Sequence, residues 1–167
     1  RQAGEIHLIQ KRYNESLNDF KNALKLTKKP DEKAEILINQ ALAYKGKEEF
    51  SKSVPPLIAA INNYASLPES YFDRVSSTYK LLGEVYMELD QFRNAVDAFE
   101  MSVKFSQDKT GMVGTLFMIG EAYQLDGDFE NARKAYGDIV ALDDPFWGKM
   151  ALERIKAMAL NLRLKRT

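Results

Sequence analysis

The sequence contains no cysteine and only one histidine, His7, among its 167 residues. Disulfide bonds and thiolate metal sites are therefore excluded, and a structural zinc site would lack ligands. A catalytic triad that depends on histidine could use only His7. The absence of cysteine does not decide between the cytoplasm and the periplasm, because proteins of both compartments can lack it.

A charge excess and a long apolar run are also absent. Lys and Arg together number 24, as do Asp and Glu, so the net charge favours neither nucleic acid nor an anionic surface as a partner. No apolar run approaches the ~20 residues of a membrane span, and no secretory signal is visible. The chain begins at Arg1, within a repeat, as an excised fragment would. We therefore expect a soluble chain of the cytoplasm or periplasm whose upstream signal could have been lost.

What the sequence does contain is a repeated pattern. In residues 82–103, Gly-Glu is followed by an aromatic three residues after the Gly, and by a second aromatic six residues later. A small residue comes three positions further on, and another aromatic four after that. Residues 3–24 and 119–140 repeat the pattern, with His7 at the first aromatic position. A degenerate copy replaces Gly by Ala41, ends in Leu57 and carries Ser53 at the small position.

The spacing of these copies predicts a helical solenoid. Gly4, Ala41, Gly83 and Gly120 are separated by 37, 42 and 37 residues. Each copy suits two helices around a tight turn, and small residues let the two helices approach closely. Because one helical hairpin cannot bury its apolar face, the units must stack. We expect one domain over 1–167, with units at about 1–29, 30–66, 67–109 and 110–144 and a capping helix at about 145–164.

Local signals refine the expected helix ends. Ser66–Glu69 reads as a capping box that opens a helix near Leu67. Pro55 and Pro56 predict that the second helix of the second unit starts late, near Ser53, or is kinked. Thr110-Gly111 opens the fourth unit, and Asp144-Pro145 marks the start of the last helix. An apolar stripe along that helix comprises Trp147, Met150, Ala151, Ile155, Met158, Ala159 and Leu162.

The pattern resembles the tetratricopeptide repeat family, in bacterial-type form. The best matches are Tyr79-x2-Leu82-Gly83-x2-Tyr86 with Ala95-x3-Phe99, and Leu116-x2-Ile119-Gly120-x2-Tyr123 with Ala132-x3-Tyr136. The resemblance implies an all-α, right-handed superhelix of four helix pairs. Its first helices line a concave groove that holds a peptide or a partner's helix. Members are mostly adaptors and scaffolds, so the resemblance implies protein–protein interaction and no catalysis.

The resemblance also implies which residues face the groove. They are Ile38, Asn39, Leu42, Lys80, Glu84, Met87, Phe117, Glu121 and Gln124, together with Glu5. The apolar members could anchor a partner or pack between neighbouring helices. Glu5, Glu84 and Glu121 recur after the Gly and could bind basic ligand groups or form a solvated face. The members that grip chaperone C-termini use Lys and Arg here; Asn39 and Lys80 lie near such positions, whereas Glu5, Glu84 and Leu81 depart from them.

No catalytic constellation accompanies the repeat. His7 stands at a packing position, and no nucleophile and base are paired by spacing. Gly83 and Gly120 lie within predicted helices, so neither forms a phosphate-binding loop. The sequence therefore predicts no cofactor, no metal and no enzyme activity in this chain. It leaves open that the chain is the regulatory part of a larger enzyme.

The charges are unevenly distributed along the chain. Residues 82–144 hold 5 basic and 13 acidic side chains, whereas residues 145–167 hold 6 basic and 1 acidic, including Arg163, Lys165 and Arg166. The basic end suits a helix C-terminus and a solvated tail. Alternatively, it could contact the acidic region of a neighbouring copy. A self-associating scaffold for a multiprotein assembly, such as one in the cell envelope, is therefore a second hypothesis.

Overall fold

The computed structural model describes residues 1–164, apart from the side chains of Thr110 and residues 161–164. Over this range the chain forms nine α-helices and one short 3-10 helix (Glu69–Tyr71), and the described residues contain no β-strand. The α-helices are α1 (Gln2–Ile9), α2 (Tyr13–Leu26), α3 (Pro30–Gly46), α4 (Phe50–Tyr64), α5 (Phe72–Glu88), α6 (Phe92–Phe105), α7 (Lys109–Leu125), α8 (Phe129–Ala141) and α9 (Trp147–Leu164). No helix in this part of the chain has both the length and the apolar character needed to cross a bilayer.

The helices pack in the order of the chain. Each helix has its main contacts with the helices just before and after it, and α1 also touches α3 as α7 touches α9. Buried side chains accordingly form several clusters between successive layers, instead of one central core. This confirms the predicted all-α solenoid of four helix pairs with a closing helix. We propose that the unit boundaries lie in the loops between these pairs.

Close contact between a glycine and an aromatic ring holds three of the four pairs together. A Cβ atom on Gly4, Gly83 or Gly120 would lie 2.7, 2.5 or 2.6 Å from a ring atom of Phe20, Phe99 or Tyr136, respectively. These rings are almost completely buried. In the second pair, Ala41 faces the smaller side chain of Leu57 within one buried cluster. The spacing of small and aromatic residues in the sequence therefore corresponds to a direct contact between the two helices of a pair.

The tight turn inside each pair contains one residue with a positive φ angle. These residues are Lys11, Glu48, Asp90 and Gly127, with φ angles of 58°, 59°, 54° and 82°. Side chains beyond glycine destabilise this left-handed conformation by roughly 1–2 kcal/mol. Three of the four turns therefore contain local strain that the packing of the helices must offset.

Two glycines of the fourth unit provide a test of this backbone effect. A Cβ atom on either Gly127 or Gly137 would meet nothing within 4 Å, so neither substitution causes a clash. We expect Gly127→Ala to lower the free energy of unfolding by about 1 kcal/mol because of its positive φ angle. We expect Gly137→Ala, inside α8, to raise it by about 0.5–1 kcal/mol. Thermal unfolding followed by circular dichroism should give shifts of opposite sign; shifts of the same sign would contradict this explanation.

Two expected helix starts differ in the structure. The helix expected near Leu67 is a 3-10 turn followed by α5, because the Ser66 hydroxyl donates to the Asn63 carbonyl instead of capping it. The late start near Ser53 is also wrong. Helix α4 begins at Phe50 and contains both Pro55 and Pro56. The Ser53 hydroxyl donates to the Ala41 carbonyl at 3.0 Å, which fixes this turn against α3.

The end of the solenoid follows the sequence signals more closely. The Asp144 carboxylate accepts hydrogen bonds from the backbone N–H groups of Phe146 and Trp147, at 3.0 and 2.7 Å. Helix α9 then packs Ala151 and Met158 against the buried side chains of α7 and α8. It therefore covers the apolar surface of the last pair, as expected. Leu162, also expected on this stripe, lies outside the described side chains, as does Arg163; Lys165 and Arg166 lie beyond the described residues.

Candidate functional site

Polar contacts link successive first helices (α1, α3, α5, α7 and α9) along one side of the solenoid, which we call the first-helix face. Asn39 of α3 donates to Glu5 of α1 at 3.5 Å. Lys45 of α3 reaches Glu84 of α5 at 2.6 Å. The backbone N–H of Gln107, just before α7, donates to Asp73 of α5 at 3.1 Å. The five helices thus form one continuous polar surface.

The carboxylates that recur after the glycine position all have partners within the chain. Glu5 accepts a hydrogen bond from Arg1 at 2.8 Å, in addition to the bond from Asn39. Glu84 is paired with Lys45, and Glu121 accepts from Arg154 of α9 at 2.8 Å. These groups are half-buried or exposed, so each pair contributes only about 0–1 kcal/mol to stability. Their main effect is to neutralise this row of negative charge.

A second group of polar contacts joins α3 to α4, to the 3-10 helix and to α5 near the start of the solenoid. The Tyr64 hydroxyl donates to Glu35 at 2.9 Å, and Arg74 forms an ion pair with the same carboxylate. The Tyr71 hydroxyl donates to Asp31 at 3.4 Å. Burial, followed by the bond to Glu35, raises the pKa of Tyr64 above its usual value. The Tyr64 hydroxyl thus joins α4 to α3 as a neutral donor.

Solved structures with the same fold come from proteins of different kinds. Aspartyl phosphate phosphatase F of Bacillus subtilis is 22% identical with a TM-score of 0.65; the match covers 83% of this chain and 37% of that one. MamA is 17% identical with a TM-score of 0.67, over 98% and 97% of the two chains. The TPR2AB domain of yeast Sti1, solved in a pHSP90 complex, is 17% identical with a TM-score of 0.56, over 84% and 61%. At these identities the likeness shows the fold alone.

A sequence match agrees with the fold. Residues 115–143, which contain most of α7 and all of α8, match the family model described as "Tetratricopeptide repeat". The chain therefore contains a tetratricopeptide repeat in this segment and has the tetratricopeptide-repeat fold. Proteins of this family generally mediate protein–protein interaction, and their fold is typically a non-catalytic module. No curated protein sequence matches the chain significantly.

The apolar residues expected in the groove have different environments. Phe117 is only 3% exposed and packs against Tyr136 and Trp147, with ring centroids 5.2 Å apart in each case. It is a core residue, and its expected exposure in the groove is wrong. Ile38 and Met87 are half-buried and pack against buried clusters. Leu42 is half-buried and belongs to none of the clusters identified in the described residues.

The polar residues expected in the groove are half-buried, but most already have partners. Gln124 accepts a hydrogen bond from the Tyr136 hydroxyl at 3.3 Å. Asn39, Glu84 and Glu121 form the contacts between helices described above. Lys80 forms no ion pair with any described residue and lines a polar depression between α5 and α7. Among the predicted residues, Leu42 and Lys80 therefore offer the side chains least engaged in contacts within the chain.

The sequence pattern did not identify the partners of the carboxylates. Lys45 and Arg154 lie 39 and 33 residues from the carboxylates that they contact, and Arg74 lies 39 residues from Glu35. Each of these sequence separations is about the length of one repeat. Opposite charges spaced by one repeat on first helices would therefore have predicted these ion pairs. The groove pattern of the family alone does not include this criterion.

The single histidine lies between the helices of the first unit. His7 Nδ1 is 2.9 Å from Asp19 Oδ2, and both side chains are about one quarter exposed. This contact joins α1 to α2, which agrees with a packing position. Among the described residues, no group of three His, Cys, Asp or Glu side chains is arranged to hold a metal ion.

Proposed function

We propose that this chain is a non-catalytic adaptor that binds a peptide or helix of a partner protein on its first-helix face. The observation that carries the proposal is the continuity of that face. Side chains join α1 to α3, α3 to α5 and α7 to α9, and the backbone N–H of Gln107, just before α7, bonds to α5. A partner lying across it would contact several units at once. The yeast Sti1 domain, which has the same fold, is solved in a complex with pHSP90 and supports this mode of use.

We propose that the central contact is an apolar side chain of the partner placed at Leu42. Leu42 lies between polar groups on the same helix, Asn39 and Lys45, and is half-buried without belonging to a core cluster. An apolar centre within a polar rim is the usual anatomy of an interface. The unpaired ammonium group of Lys80 on α5 can add a contact to a carboxylate or carbonyl group of the ligand.

The paired carboxylates limit the charge that this face selects. Lys45 and Arg154 already neutralise Glu84 and Glu121, so a basic ligand would have to displace them. Exchanging one ion pair for another yields little net free energy. We therefore propose that recognition depends on apolar contact at Leu42 and on hydrogen bonds, with little contribution from the row of glutamates.

Replacing Leu42 by arginine tests this proposal. Peptides are first selected on the wild-type chain from a random peptide display library. We expect their affinity for Leu42→Arg to fall at least about tenfold, because a charge replaces the apolar anchor. The matched control is Leu26→Arg on α2, where the leucine is 84% exposed and belongs to a second helix. The affinity of this control for the selected peptides should stay within about twofold of the wild-type value. Circular dichroism should show that both variants are folded. Equal affinity for all three proteins, measured by fluorescence anisotropy, would exclude Leu42 as the anchor.

A further inference from the structure

Two depressions between successive helices are related by the repeat. The first is lined by residues of α5 and α6: Tyr79, Leu82, Tyr86, Asn94, Asp97, Ala98 and Met101. The second is lined by α7, α8 and two residues of α6: Leu116, Ile119, Tyr123, Asn131, Lys134, Ala135, Asp138, Glu100 and Val103. Each residue of the first depression has a counterpart 37 residues later in the second, from Tyr79 and Leu116 to Met101 and Asp138. We call the two depressions the side pockets.

The size and lining of the side pockets suit side chains of another polypeptide. Their volumes are about 240 and 270 Å³, below the usual range of small-molecule sites. The second has a floor that is mainly apolar, formed by Leu116, Ile119 and Tyr123. Such a pocket can receive a leucine-sized side chain and is too small for a typical cofactor.

The edges of the side pockets carry a net negative charge. Asp97, Glu100 and Asp138 are exposed, and none of them forms an ion pair within the described residues. Lys134 is the one cationic side chain among the residues that line either pocket. Burial, followed by the nearby carboxylates Glu100, Asp128 and Asp97, raises the pKa of Tyr123. The contrast with the first-helix face is clear, since the glutamates there are neutralised by partners in the same chain.

The same chain carries a segment with the complementary chemistry. Residues 160–167 read LNLRLKRT, which combines three leucines with Arg163, Lys165 and Arg166. The first of these leucines, Leu160, is exposed near the end of α9. Three positive charges would oppose the three carboxylates at the pocket edges. Leucine side chains have the size and polarity that the pocket floors accept. The acidic region 82–144 and the basic region 145–167 thus have complementary charges.

We propose that the side pockets of one copy bind segment 160–167 of a second copy. Leucine side chains of that segment enter the side pockets, and its basic side chains pair with Asp97, Glu100 and Asp138. The contact uses different surfaces on the two copies, so it generates a ring or an open filament. It uses neither Leu42 nor Lys80, so self-association and partner binding can fail independently.

A charge exchange provides the first test. Variant A carries Asp97→Lys, Glu100→Lys and Asp138→Lys, and variant B carries Arg163→Glu, Lys165→Glu and Arg166→Glu. The wild-type chain should associate with rising concentration in sedimentation velocity at about 20 mM salt and dissociate at about 500 mM. Variants A and B alone should associate at least about tenfold more weakly, because like charges meet. A mixture of A and B should recover wild-type association, because each pocket then meets a segment of opposite charge.

A control with the same change in charge separates local from global electrostatics. Glu15, Glu48 and Glu69 are exposed and lie outside the side pockets. Their replacement by lysine should leave the association constant within about threefold of the wild-type value. The proposal is overturned if the wild-type chain stays monomeric at low salt and high concentration. It is equally overturned if variant A associates as strongly as the wild type.

Engineered cysteines test the same contact without reversing charge. Because the natural chain has no cysteine, Glu100→Cys mixed with Lys165→Cys can form only defined disulfides. Mild oxidation should yield a disulfide-linked heterodimer at least about tenfold faster than the mixture of Leu26→Cys with Lys165→Cys. Equal rates would overturn the proposal. If one chain carrying both Glu100→Cys and Lys165→Cys forms only an internal disulfide, segment 160–167 occupies its own side pocket, and the second copy is excluded.

Discussion

Gly83→Ala is expected to lower the free energy of unfolding by about 2 kcal/mol, although alanine is the better helix former. The new Cβ atom would lie 2.5 Å from two atoms of the Phe99 ring, a distance that a packed core does not tolerate. The ring is almost completely buried and has no space to retreat. Overpacking of this kind destabilises by about 1–3 kcal/mol or more, which outweighs the gain of about 1 kcal/mol in helix propensity. The midpoint of thermal unfolding should fall by about 4–8 °C.

The second unit suggests how this loss can be repaired. There Ala41 is accommodated because Leu57 takes the place of an aromatic ring. Phe99→Leu alone should lower the free energy of unfolding by about 1–2 kcal/mol through lost burial. In the double variant Gly83→Ala/Phe99→Leu, the loss in free energy of unfolding should be smaller than the sum of the two single losses by at least about 1 kcal/mol. Additive losses in urea unfolding would show that Gly83 and Phe99 do not constrain each other.

Ala151→Glu should produce the larger effect, lowering the free energy of unfolding by at least about 3 kcal/mol. Ala151 is 0% exposed where α9 packs on the buried side chains of α7 and α8. A carboxylate at this position would be buried without a cationic partner, or α9 would have to separate from the stack. Separation would expose Phe117, Met158 and Tyr136, so we also expect aggregation on heating.

The same substitution at Ala157 provides the control. Ala157 lies on α9 as well, but on its exposed side. Ala157→Glu should change the free energy of unfolding by no more than about 0.5 kcal/mol. Guanidinium unfolding curves of both variants will measure the difference. If the two variants unfold together, α9 does not close the solenoid in solution.

The repeat was readable from the sequence because it reflects contacts inside one unit. Gly83 and Phe99 are 16 residues apart, and the small residue at one position and the ring at the other meet in the structure. Helix periodicity and spacing determine such contacts almost completely. The turn after α5 was equally clear, with Asp90 at its tip. Sequence reasoning succeeded where the determining residues lie close together in the chain.

The groove was less predictable because its exposure depends on the neighbouring units. Phe117 lies at a position that the family pattern assigns to the groove, yet α9 supplies Trp147 to cover it. Gly114 permits this contact, since its Cβ would lie 3.0 Å from the indole. Likewise, the reach of Lys45 to Glu84 depends on side-chain rotamers and on the offset between units, neither of which the spacing specifies. These relations arise only when the stack is assembled.

The sequential contacts between helices also determine how the chain would respond to tension. Each helix has its main contacts with its neighbours along the chain, and first helices also touch the next first helix. No strand pairing joins distant parts of the described residues, and the sequence has no cysteine to form a disulfide. In such arrays stability is the sum of the units and of the interfaces between neighbours. Pulling on the two ends would therefore peel helices away one after another, and each would re-dock when the force is released. The molecule would act as a soft, reversible spring between whatever is attached to its ends.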